Sequence, residues 1–201
     1  MKIKLLSGIA IVGLALVFTG CQKYPQAEVD AANAAIESTK AVQANLYVPE
    51  EFNALQDSLT TVLAAVEKEK SKLFHNYKDE VAKLTATAEQ AKVVAANAQA
   101  KKEQYKQETA AALAEITTLM EQNKEYLAKA PKGKEGKAAV EAIGQEIAAV
   151  ETVSTEVAAG LTNNDDILTL SDKIKPAVEK AKAINTELTD VIAKVKGGKK
   201  K

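Results

Sequence analysis

Beyond about residue 25, apolar residues recur at helical spacing along most of the chain, and no stretch alternates as a strand does. The spacing predicts a first helix from about Pro25 to about Leu46, with Val29, Ala32, Ile36 and Thr39 on one face. Tyr47-Val48-Pro49 ends it, because a residue before Pro is pushed out of the α region. A second helix is predicted from Pro49, its opening Glu50-Glu51 suited to the positive end of a helix, with Phe52, Leu55, Leu59, Val62 and Val66 as its stripe. The spacing then slips. From Phe74 a seven-residue register runs through Tyr77, Val81, Leu84, Ala88, Ala91, Ala95, Ala98, Lys102, Tyr105, Thr109, Ala112, Ile116, Leu119, Asn123 and Tyr126. A turn at residues 71–76, with Asn76 and Asp79 capping the next helix, explains the slip; an unbroken helix with a stutter is the alternative. The third helix then covers about 76–128, roughly 80 Å at 1.5 Å per residue.

Residues 130–136, Ala-Pro-Lys-Gly-Lys-Glu-Gly, read as a linker. Val140, Ile143, Ile147, Val150, Val153 and Val157 then mark a fourth helix ending at Gly160, and Asn163-Asn164-Asp165-Asp166 forms a turn. A last helix runs to about Val195, with Pro176 either in its first turns or kinking it, and Gly197-Gly198 ends it. The expected fold is all-α: an elongated antiparallel bundle, or coiled coil, of about five helices with one long Ala-rich helix. The expected divisions are a leader at 1–20, an Ala-rich helical region at 21–130, a C-terminal helical pair at 131–196 and a basic tail at 197–201. The two halves share the order Pro, amphipathic helix, Asn-rich turn and Glu-Gln-Ala-Lys or Glu-Lys-Ala-Lys. That order fits either an internal duplication or the bias of the composition.

The first 21 residues follow a different pattern. Lys2 and Lys4 precede an apolar run, Leu5 to Phe18, of about 14 residues, shorter than the ~20 of a membrane span and right for a secretory signal core. Phe18-Thr19-Gly20-Cys21 closes it and resembles the bacterial lipobox, with Phe18 where Leu is usual. The resemblance implies acylation of Cys21 and cleavage before it. Gln22, rather than Asp, resembles an outer-membrane sorting residue.

Composition narrows the function further. Ala fills 37 of 201 positions, all 27 basic residues are Lys, and there is one Cys, one His and no Trp. One Cys and one His exclude a disulfide scaffold and a Cys- or His-rich metal centre. Without Arg the chain lacks the forked donor most used on phosphates and bases, so no nucleic-acid partner is expected. Without the leader there are 25 Lys against 27 acids, and Lys196, Lys199, Lys200 and Lys201 lie in the last six residues. The tail is expected to be mobile, as a solubilising terminus or as a contact to anionic headgroups or cell-wall polymer. A terminal Lys201 also allows a covalent link to peptidoglycan, as in the small major outer-membrane lipoprotein.

No catalytic set emerges. His75 has no neighbouring nucleophile and reads as a solvated or capping residue. Glu50-Glu51 and Asp79-Glu80 read as helix-start acids. Asn163 to Asp166 lacks the Gly and distal Glu of a calcium loop, and Lys132 to Gly136 lacks the strand and Lys-Ser/Thr of a phosphate loop. Tyr77, Tyr105 and Tyr126 share a stripe that suits packing, with sugar stacking as the alternative.

Cys21, Ala31-Ala32-Asn33-Ala34-Ala35-Ile36, Tyr47-Val48-Pro49, Leu55 and Leu59 together resemble the bacterial lipoproteins grouped as domain-of-unknown-function 4398. The likeness spans about 25–98, with Val48 where Ala is common. It implies a helical lipoprotein of the cell envelope and carries no catalytic, metal or cofactor residue. The expected function is a non-enzymatic, lipid-anchored tether or scaffold, whose partners are the membrane and, at its other end, peptidoglycan or another envelope protein. The alternative is a binding module holding a partner helix or apolar ligand in a groove lined by Tyr105, Ile116, Leu119 and Tyr126.

Overall fold

The computed structural model describes residues 23–130 and 134–198, which are mostly helical with no strand among them. Six helices are present among the described residues: α1 (Gln26–Ala41), α2 (Ala44–Tyr47), α3 (Pro49–Lys70), α4 (Lys78–Lys129), α5 (Lys134–Asn163) and α6 (Ile167–Gly198). The all-α bundle is therefore the fold, with α2 as an element beyond the five expected. The predicted faces of the first two long helices are both buried: Val29, Ala32, Ile36 and Thr39 on α1, and Phe52, Leu55, Leu59, Val62 and Val66 on α3.

Three boundaries differ from the expectation. The first helix stops at Ala41, not Leu46, because Gln43 takes a left-handed conformation (φ 60°) with its amide donating to the Lys40 carbonyl at 2.8 Å. Neither Gly nor Pro marks that break. It turns Ala44 and Tyr47 inward, where both are buried. The helix expected as the fourth, α5, passes Gly160 and ends at Asn163, where Asn164 is left-handed (φ 58°) and the Asp165 amide donates to the Gly160 carbonyl at 2.9 Å. This is a Schellman-type stop with Asn in the usual Gly position. Gly160 instead serves packing. A Cβ there would lie 2.5 Å from Leu170 Cδ2, so the missing side chain lets α6 approach α5 closely. The last helix continues through Gly197-Gly198, since two small residues near a helix end weaken it without forbidding it. Pro176 lies inside α6, where its ring nitrogen offers no proton to the preceding turn.

The break between α3 and α4 falls in the predicted turn, and Asn76 Oδ1 accepts from the Lys78 amide at 3.2 Å. The α4 helix has 52 residues, about 78 Å along its axis. Its seam is not one continuous seven-residue register. Leu84, Ala91 and Ala98 are buried at heptad spacing, and so are Thr109, Ile116, Asn123 and Ala130. The step from Ala98 to Thr109 is eleven residues, a four-residue stutter that shifts the buried stripe. Lys102 and Tyr105, which a strict register would bury, are half-buried.

The described chain forms two compact units. The first contains 23–45 and 49–95: α1 packs on α3, and α3 turns back into the first part of α4. The second contains 46–48 and the residues from Ala96 onward, with α5 packed on α6 beside the remainder of α4. The two compact units meet within α4, after Ala95. The reason is burial: the apolar stripes of α5 and α6 form their core with Ile116 and Met120 of α4.

Candidate functional site

The features that the sequence makes most specific, Phe18, Thr19, Gly20 and Cys21, lie outside the described residues, as do Lys199, Lys200 and Lys201. The described chain does show where the segment leading from Cys21 enters the fold. Tyr24, three residues on, donates its hydroxyl to Glu67 Oε1 at 3.0 Å, and the Lys70 ammonium sits 5.0 Å above its ring. Accepting that bond, Glu67 holds the Tyr24 hydroxyl above the usual phenol range. The Tyr24 and Tyr77 rings meet edge to face at 6.0 Å, and the His75 ring stacks with Tyr77 at 6.0 Å. The start of α1, the end of α3 and the start of α4 therefore converge at one end of the first unit.

Glu69 organises the turn at this end. It is a buried carboxylate that accepts the Asn76 amide at 3.0 Å and pairs with Lys72. The Lys72 hydrogen bond and then the Asn76 amide hold its carboxyl below the usual range. Ser71 Oγ donates to the Lys68 carbonyl at 2.7 Å, closing the last turn of α3. Because the folded pKa is depressed, the contribution of Glu69 is present above the ordinary glutamate range and is lost as pH falls through the folded value. The protection of the Asn76 amide from hydrogen exchange is expected to fall over that acidic window, and Glu69→Gln to show no such pH step. An Asn76 amide that exchanges at the same protection across the window in the unmodified chain would overturn this role.

In the second unit, Tyr47 and Tyr105 lie with ring centroids 6.2 Å apart. Three ammonium groups face them: Lys102 over Tyr47 at 5.7 Å, with Lys101 at 5.7 Å and Lys175 at 5.6 Å over Tyr105. Burial, more than the nearby Asp166, pushes the Tyr47 hydroxyl up. The Tyr47 hydroxyl and Thr109 Oγ1 are buried without a hydrogen-bond partner. An open cleft of about 310 Å³ lies between α4 and the α5–α6 turn, lined by Glu103, Lys106, Gln107, Ala110, Leu161 and Asp165 among others. A second, more open cleft of about 420 Å³ in the first unit lies between α3 and α4, over Ser58, Thr61, Lys83 and Thr87. Both are shallow and edged by charged side chains.

Tyr105, Ile116, Leu119 and Tyr126, the residues expected to line a groove, all lie on α4. Ile116 is wholly buried (0% exposed) in the core, and the other three are half-buried along some twenty residues of one helix. The Asn163 to Asp166 turn is occupied in structure. Asp166 accepts Thr169 Oγ1 at 2.8 Å and the Leu168 and Thr169 amides at 3.4 Å, capping α6. The Thr169 hydroxyl, then the two amides, hold its carboxyl below the usual range. Glu50, Glu51, Asp79 and Glu80 lie in first helical turns, as dipole compensation requires. Among the described residues no cluster of three or more His, Cys, Asp or Glu could hold a metal ion.

Two buried polar side chains have partners that the sequence did not show. Glu69 continues the α3 stripe three residues after Val66, and that phase was its signal. Asn123 stood in the seam but its partners did not: it is 0% exposed, donates Nδ2 to the Ala181 carbonyl at 2.9 Å, and accepts from Asn185 Nδ2 at 2.8 Å.

No protein-family model, curated protein or solved structure matches this chain.

Proposed function

We propose that the protein is a non-enzymatic, lipid-anchored tether or scaffold of the bacterial cell envelope, attached through acylated Cys21. The observation that carries the reading is the placement of the sole cysteine, directly after Thr19-Gly20 and a core of about 14 apolar residues. The resemblance to the lipoproteins of domain-of-unknown-function 4398, over about 25–98, supports the same assignment. No described helix is long and apolar enough to cross a membrane. Several acyl chains, each methylene contributing ~0.8 kcal/mol, make a durable attachment where one chain holds only marginally. Gln22 favours the outer membrane as the destination.

Cys21→Ser is expected to abolish acylation and move the protein from the membrane to the soluble fraction. Retention of that variant on membranes in high salt would sink the reading. The basic tail supplies the second end of the tether. Removing 199–201 is expected to reduce binding to purified sacculi. Loss that salt mimics identifies an electrostatic contact, and loss of a detergent-resistant fraction identifies a covalent link through Lys201. Equal binding by both forms would leave the tail a solubilising terminus.

A further inference from the structure

The turn between α3 and α4 displays two large apolar side chains to solvent. Leu73 is 87% exposed and Phe74 is 80% exposed, although a packed alternative is one residue away at the half-buried His75. This display is held by a structured turn. Glu69 fixes the Asn76 amide and Lys72, Asn76 caps the start of α4, and the His75 ring stacks with Tyr77 at 6.0 Å between centroids. The backbone on both sides of Leu73-Phe74 is thereby pinned, and the two side chains are directed away from the unit.

What covers them follows from the position of the chain that precedes the described residues. Tyr24 is bonded to Glu67 and touches Lys70 and Tyr77, the residues that flank this turn. Cys21 is three residues before Tyr24, a reach of at most about 10 Å of extended chain. A cysteine acylated at that point holds the bilayer surface within reach of the turn. We propose that Leu73 and Phe74 insert into that same bilayer, as a second contact that fixes how the first unit stands on its membrane; the proposal rests on the acylation of Cys21. Residues 67–80 carry four Lys (68, 70, 72, 78) against four acids (67, 69, 79, 80), so the turn has no net charge beyond His75. Insertion is then driven by the apolar pair rather than by anionic lipid, and it persists on zwitterionic vesicles and in high salt. Tyr24, amphipathic and beside Lys70, suits the headgroup level between the acyl chains and the fold.

The absence of Trp makes the test direct. Phe74→Trp in the full acylated chain is placed in phosphatidylcholine vesicles containing lipid brominated near the headgroup end of its acyl chains. Val93→Trp, on an exposed site (57%) about fifteen residues into α4, is the control. The expected result is a blue-shifted, bromine-quenched emission from Trp at 74 and an unshifted, unquenched one at 93, unchanged by salt. Blue-shifted emission without quenching would mean that another protein surface, such as a second copy, covers the turn, and would overturn the proposal. Solvent-like emission at 74 in protein that still floats with the vesicles would overturn the insertion and leave the anchor standing. Purified protein whose mass shows Cys21 unmodified would overturn both.

Discussion

Ala95→Pro is expected to cost about 3 kcal/mol or more and to lower the melting temperature by roughly 6 °C or more, with a clear loss of ellipticity. Ala95 lies inside α4, at the residue where the first unit ends. Proline there removes the amide that bonds the Ala91 carbonyl, and its ring presses on that same carbonyl. Ala91 is buried, so the backbone cannot relax by bending that turn toward water. The middle of α4 has little to set against the loss. Its seam is Ala91, Ala98 and Val94, which bury less apolar area per residue than Leu at about 25 cal/mol per Å². Propensity and hydrogen bonding therefore hold this stretch more than packing does. Ala95→Gly separates the two contributions: it keeps the hydrogen bond and is expected to cost only about 1 kcal/mol. Equal melting curves for Ala95→Pro and the unmodified chain would contradict a continuous helix through residue 95.

Asn123→Asp is the second large effect, and its size depends on pH. The Asn123 amide donates to the Ala181 carbonyl at 2.9 Å in a site without exposure to solvent. An ionised carboxylate in its place would face that carbonyl oxygen with no proton to offer. Asn185 Nδ2, which donates to Asn123 Oδ1 at 2.8 Å, gives one hydrogen bond but no charge. A buried, uncompensated charge costs roughly 3 kcal/mol or more, or drives the group to protonate. The folded pKa of the introduced Asp is therefore raised above its unfolded value of about 3.9. Below that unfolded value the acid is protonated in both states, can donate to Ala181, and costs little. As pH rises through it, the unfolded chain ionises first and stability falls, levelling off above the folded pKa. The melting-temperature deficit against the unmodified chain should be small near about pH 3 and large near about pH 7. A deficit independent of pH would contradict the burial of Asn123 beside Ala181.

The ion pairs between helices add little stability. Lys124–Glu151, Lys173–Glu156, Lys180–Glu146 and Lys182–Glu115 tie α4, α5 and α6 within the second unit, but every partner is substantially exposed. Exposed pairs of this kind contribute roughly 0–1 kcal/mol each. They set register between helices already held by Ile143, Ile147, Val157, Ile174 and Leu188.

The helices themselves were legible residue by residue. The 3.6-residue period of Val29, Ala32, Ile36 and of Leu55, Leu59, Val62, Val66 places one apolar face per helix, and removing that face from water supplies most of the drive to pack. Pro49 and the slip near residue 71 marked breaks because proline and a change of phase act locally. Phe18-Thr19-Gly20-Cys21, which resembles a lipobox, is also a local pattern, which is why Cys21 could be singled out in a chain with no other cysteine. What the tertiary structure decided are the features whose causes lie elsewhere in the chain. Gln43 adopts a left-handed turn with no glycine present, at the point where Ala44 and Tyr47 turn inward to be buried. The stripe of α4 steps by four residues after Ala98 as the helix passes from the first compact unit into the second. Glu69 and Asn123 are polar residues on apolar stripes, tolerable only because Asn76, Lys72, Ala181 and Asn185 complete their hydrogen bonds. Phe74 heads the seven-residue register in sequence, yet the folded turn beside Tyr24 leaves it and Leu73 exposed. Periodicity reports which residues want to leave water; only the packed chain determines which of them find somewhere to go.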